Sequence, residues 1–143
     1  MNMKPIKYML PIMAITALYG CTASGVESTA APLTAKQVKL LDSELKGKVA
    51  GKPVNCVNNF SSSNFIRVSD DMLLYRGVGR TVYQNNLRSS CPGLARDNDV
   101  LVIETRGSSY CSGDLIRLVD RFSGIQGPVC SLGEFTPYRK ATG

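Results

Sequence analysis

Apolar positions change their spacing three times along this chain. Tyr8 to Tyr19 is an uncharged, mostly apolar run behind Lys4 and Lys7. Residues 22–33, TASGVESTAAPL, are mostly small and polar with a proline next to their end, which is the composition of a flexible tether. From Thr34 the apolar positions follow a helical period. Val38, Leu41 and Leu45 share one face, and Lys36, Lys39 and Lys46 lie elsewhere. Thr34 and Gln37 make a capping box, Leu33 can staple against Val38, and Gly47 supplies a stop. The spacing predicts a helix over about 35–46.

From Lys52 the period is two. PVNCV is a first strand, and FIRVS, MLLYR and TVYQNNL follow, separated by Asp70-Asp71 and by GVG. Turn residues at those joints predict a three-stranded meander. SSCPGLARDND interrupts it at Pro92 and Gly93. VLVIETR reads as a central strand, DLIRLVDRF as another whose first turn could be helical, and GPVCSLGEF as the last, with Pro137 ending the pattern. The expectation is a mainly β domain, a small antiparallel barrel or sandwich of six to seven strands preceded by one short amphipathic helix.

The first apolar run has twelve residues, fewer than the ~20 a spanning helix needs. A basic start, a short apolar middle and small closing residues describe a cleaved export signal. Leu18, Tyr19, Gly20 and Cys21 resemble the lipobox of bacterial lipoproteins. That resemblance implies diacylglycerol on the Cys21 thiol, cleavage before it, and acylation of the new amine with a palmitate-type chain. The domain plan is then a signal peptide over 1–20, a lipid-anchored tether over 21–33, a helix over 34–47 and a disulfide-stabilised β domain over 48–143. Thr22 stands where inner-membrane lipoproteins tend to carry Asp, so the resemblance places the protein on the periplasmic face of an outer membrane. An ordinary signal cut after Ala23, giving a soluble periplasmic or secreted protein, is the alternative.

Charge adds little. The net charge of +6 falls to +4 when Lys4 and Lys7 leave with the signal, and signs alternate without a run. Nucleic acid is therefore not an expected partner; an envelope protein or polyanion is. Cys56, Cys91, Cys111 and Cys130 form an even set in an exported chain, which predicts two disulfides. Three pairings are open, and the expected one is Cys91–Cys111 with Cys56–Cys130, so that the first and last strands are joined. No C-x-x-C spacing occurs and the chain has no histidine, so neither a metal nor another cofactor is expected. Histidine's absence also removes Ser-His and Cys-His catalysis. Asp70, Asp71, Asp97, Asp99, Glu104 and Asp114 could supply a two-carboxylate hydrolase. Asp70-Asp71 also suits a turn, and Asp97-Asn98-Asp99 is a fragment of a calcium loop without its later glutamate.

Taken together, GKVAGKPVNCV, DDMLLYRGVGRTVYQNNL, CPGL, YCSGDLIRLVD and CSLGEFTPY resemble a family of small exported proteobacterial proteins known as a domain of unknown function. The resemblance covers about residues 46–138 and carries no activity, cofactor or catalytic residue. Its motifs fit structural roles: Cys for bridges, Pro and Gly for a fixed turn, Phe135 and Tyr138 for closing a core. The expected function is that of an envelope lipoprotein whose β domain binds or supports an envelope component without catalysis. A carboxylate hydrolase is the alternative, and a protein inhibitor a lesser one. The expected contact surface is the meander's exposed face, with Arg76, Arg80 and Arg88 near its turns and Tyr75 and Tyr83 beside them, although tyrosines so placed are more often half-buried strand residues.

Overall fold

A computed structural model describes residues 31–59, 65–96 and 98–141. Cys21, the expected signal peptide and most of the expected tether lie outside the described residues, as does Asp97. Helix α1 spans Ala35–Leu45. Thr34 N donates to Gln37 Oε1 at 2.8 Å and Gln37 N donates to Thr34 Oγ1 at 3.4 Å, so the capping box forms. Gly47, at φ +68°, turns the chain out of the helix.

Among the described residues ten strands follow: β1 (Lys48–Ala50), β2 (Cys56–Asn58), β3 (Phe65–Ser69), β4 (Met72–Arg76), β5 (Val82–Asn86), β6 (Asp99–Glu104), β7 (Ser109–Cys111), β8 (Leu115–Asp120), β9 (Gln126–Ser131) and β10 (Phe135–Lys140). They pair antiparallel in three sheets, ordered β1-β10-β5-β4-β3, β6-β8-β9 and β2-β7. The sheets stack as a sandwich and do not close into a barrel, because β3 and β6 each have one partner strand only among the described residues. The meander β3-β4-β5 forms as expected, with Tyr75 opposite Tyr83 and Leu73 opposite Asn85.

Two apolar layers result. Leu73, Tyr75, Leu94, Ile116, Leu118, Leu132 and Phe135 fill the space between the five- and three-stranded sheets. Val68, Leu74 and Val82 pack on the other side against Leu40, Leu41 and Leu45 of α1. MLLYR is apolar without alternation because α1 covers one face of β4 and the second sheet covers the other. The docked stripe of α1 is displaced from the expected one: Leu40 is in it, and Val38 is exposed.

Three sequence expectations are corrected. Among the described residues the strands number ten because GPVCSLGEF ends β9 and begins β10 at Phe135, and short β1 and β7 are added; DLIRLVDRF forms a strand as expected, over Leu115–Asp120. Pro137 does not end the pattern but sits inside β10. Gly51 N donates to its carbonyl at 2.7 Å on the side where β1 has already stopped at Ala50, so the missing N–H forgoes a single bond there. The disulfides are Cys56–Cys111 and Cys91–Cys130, with Cα separations of 4.1 and 5.7 Å, in place of Cys91–Cys111 and Cys56–Cys130. The physical reason is register. β7 leaves its own hairpin and pairs with β2, which sets Cys111 directly across from Cys56, while the CPGL loop folds into the core beside β9.

That loop is fastened to the β3–β4 turn. Cys91 N donates to Asp70 O at 2.7 Å and Ala95 N donates to Asp70 Oδ1 at 2.9 Å. A second fastening lies between β9 and β10. Asn85, fully buried, donates to Gly133 O at 2.8 Å and accepts from Gly133 N at 3.0 Å, so its amide imitates a neighbouring strand.

Candidate functional site

The expected arginine–tyrosine surface is not assembled. Tyr75 is completely buried, its hydroxyl donates to Asn58 O at 2.6 Å, and its ring packs against Phe65, Tyr83, Tyr110 and Phe135. It belongs to the core and not to a contact surface. Tyr83 is half-buried in the same aromatic layer. Arg76 is exposed, but its guanidinium grips Glu44 of α1 through Nε at 3.0 Å and through a second, shorter contact. This bond, reinforced by the cation's field, holds the Glu44 carboxyl below the usual carboxylate range. Arg80 follows on the β4–β5 connection at φ +65°. Arg88 lies past the opposite end of β5, where it donates to Ser112 Oγ at 3.0 Å. A strand's length therefore separates Arg88 from Arg76 and Arg80. The outer face of the meander is itself occupied, since α1 lies on it.

The acids suggested by the sequence are likewise dispersed. The Asp70 carboxylate receives Ala95 N, Asp114 receives Cys111 N at 2.7 Å, and Glu104 pairs with Arg117 at 2.9 Å. Among the described residues no group of three or more metal-binding side chains converges.

A groove of about 900 Å³ opens where the sandwich fails to close. Leu40 of α1, Phe65, Ile66 and Arg67 of β3, Asp99, Val100, Leu101 and Ile103 of β6, Tyr110 of β7, and Arg121 line it. Its size is that of a small-ligand or peptide site. Arg67 is the strut that sets its width: its two terminal nitrogens donate to Arg96 O and Asp99 O, each at 2.7 Å, so β3 and β6 are linked through a side chain. Phe65 and Tyr110 meet edge to face at 5.1 Å and give it an aromatic lining. Burial, and secondarily the neighbouring Tyr75, raise the Tyr110 pKa above the ordinary phenol value, so its hydroxyl remains a donor at neutral pH. Asp99 is the one carboxylate in this lining, and Arg121 brings positive charge to it.

The arrangement suits binding of an extended, partly apolar segment. Strands β3 and β6 flank the groove, each with an edge that no described strand covers, and such edges offer backbone donors and acceptors to an added strand. Sequence reading missed the groove because its lining comes from four elements far apart in the chain. The one local sign was VLVIE, whose alternation gives β6 a half-buried inner row at Leu101 and Ile103 and exposed Val100 and Val102.

No curated protein and no solved structure matches the chain. A family described as "Family of unknown function (DUF6491)" matches residues 4–140, which agrees with the resemblance to a domain of unknown function. Because that match takes in nearly the whole sequence, the chain belongs to the DUF6491 family.

Proposed function

We propose that the protein is a lipid-anchored lipoprotein of the bacterial envelope, held by Cys21 on the periplasmic face of the outer membrane, whose β domain binds an envelope protein without catalytic turnover. The anchor rests on the sequence: basic Lys4 and Lys7, the apolar run to Tyr19, and Leu18-Tyr19-Gly20-Cys21. Binding rests on one observation, the aromatic-lined groove between β3 and β6. Its polar and apolar lining suits a polypeptide segment better than a bare polyanion. Two disulfides and the Arg67 strut make the groove rigid in advance of its ligand, which lowers the ordering cost of binding.

Two measurements check this reading. Cells given radiolabelled palmitate should label the wild-type protein and not Cys21→Ser; label on the variant, or none on the wild type, rejects the anchor. A photocrosslinking residue placed at Ile66 or Val100 should capture a discrete envelope protein, while the same residue at exposed Val49, on the far edge strand β1, should not. Equal capture from Val49, or capture from neither groove position, rejects the groove as the binding site.

A further inference from the structure

The β8–β9 connection projects from the three-stranded sheet with its apolar side chains in water. Phe122 is 93% exposed and Ile125 69% exposed. The turn that carries them is held in shape. The Asp120 carboxylate accepts from Phe122 N at 3.0 Å, Ser123 N at 2.7 Å and Ser123 Oγ at 2.8 Å. Asp120 N donates to Ile125 O and Gly124 N to Asp120 O, both at 2.9 Å. Asp120 therefore closes the turn, and the two apolar residues are presented on a fixed support.

The position of this turn relative to the tether indicates what it meets. Ala31 and Leu33 line a hollow with Ser69 and Met72, so the chain enters the domain beside the β3–β4 turn. Arg67, two residues before Ser69, donates to Asp99 O, and Asp99 is paired opposite Asp120, where the projecting turn begins. The tether and the turn are thus on neighbouring parts of one side of the domain. Backbone geometry limits the reach from Cys21 to Ala31 to about 35 Å, so a lipid on Cys21 holds the chain's entry point within about 35 Å of the bilayer, and insertion of the tip lies within that reach.

We propose that residues 121–125 form a membrane-contact tip, in which Phe122 and Ile125 enter the interfacial layer of the bilayer that holds Cys21. This rests on the lipoprotein reading above and deepens it. An exposed aromatic and an exposed aliphatic side chain on one fixed turn suit partition into a headgroup boundary. One inserted tip together with one lipid anchor gives the domain two points of attachment and so fixes its orientation.

The chain has no tryptophan, so Phe122→Trp introduces a single fluorescent reporter at a fully exposed position. The full-length acylated protein carrying it is reconstituted into vesicles of phosphatidylethanolamine and phosphatidylglycerol with brominated acyl chains. Val78→Trp, at a 74% exposed site on the β4–β5 connection, is the comparison. Emission from the Phe122→Trp variant should shift to shorter wavelength on vesicles. It should also be quenched at least about twofold more than emission from Val78→Trp, as depth in the interface requires. Palmitate labelling of the same preparation separates the two ideas: labelled protein whose indole at position 122 stays solvent-like overturns the tip alone, and absence of label overturns the anchor. An indole at that position already shielded in lipid-free detergent, by a second copy or a co-purifying protein, also overturns the tip.

Discussion

Gly133→Ala will destabilise the domain by roughly 3–5 kcal/mol, combining overpacking with loss of a buried hydrogen-bonded pair. An ideal Cβ at this position would stand 1.9 Å from Asn86 O and 3.1 Å from Asn86 C, and both obstacles are backbone. No side-chain rotation relieves that contact. The chain must move away from β5, and in moving it takes Gly133 N and O off the Asn85 amide. Asn85 is fully buried, so its freed groups find no water. A loss of this size is a large share of the ~5–15 kcal/mol typical of whole domains. Urea unfolding of the disulfide-intact protein measures it. Gly107→Ala is the matched control, since nothing lies within 4 Å of the Cβ it would add, and it should change stability by less than about 0.5 kcal/mol. A Gly133→Ala midpoint indistinguishable from that control would refute the close approach of β5 and the segment before β10.

The two disulfides should differ in what their removal costs, and loop length will not be the reason. Their sequence separations, 39 for Cys91–Cys130 and 55 for Cys56–Cys111, correspond to ~4 kcal/mol each from chain entropy, with only about 0.3 kcal/mol between them. Burial separates them. Cys91 and Cys130 are 0% and 4% exposed inside the main core, whereas Cys56 is exposed and Cys111 half-buried. Cys91→Ala with Cys130→Ala therefore adds a cavity beside Leu94, Leu118 and Leu132, and should exceed the loss from Cys56→Ala with Cys111→Ala by about 1–2 kcal/mol. Access gives a second measurement. Mild reductant should open Cys56–Cys111 in the native protein, with Cys91–Cys130 yielding only when the core opens. Peptide mapping before reduction should recover these two pairs. Finding Cys91 joined to Cys111, or Cys91–Cys130 reduced first, would contradict the arrangement of β7 against β2 and of the CPGL loop beneath β9.

Local chemistry was legible in this sequence. Thr34 and Gln37 announced the helix because a capping box uses only neighbouring residues. FIRVS, MLLYR and TVYQNNL announced a meander because consecutive strands joined by tight turns pair with each other. The even cysteine set, with the export signal expected ahead of it, announced two bridges. Errors arose wherever the decisive partner was distant in the chain. Tyr75 could be read as a contact residue or as a half-buried strand residue until Phe65, Tyr110 and Phe135 enclosed it. Pro137 looked like a terminator until β1 was seen to stop opposite it.

Periodicity, capping and residue type within short stretches specify the β class, helix α1, the meander and the supply of bridging thiols. Which thiols meet, which face of the meander α1 covers and where the sandwich stays open depend on long-range packing. Those outcomes are set by the register of strands far apart in the chain: Cys56 faces Cys111 because β2 pairs with β7, and the groove exists because β3 and β6 meet through Arg67 and not through a backbone ladder. A short apolar strand carries no mark of its partner, because hydrophobic burial is non-directional and is satisfied by any apolar face that fits.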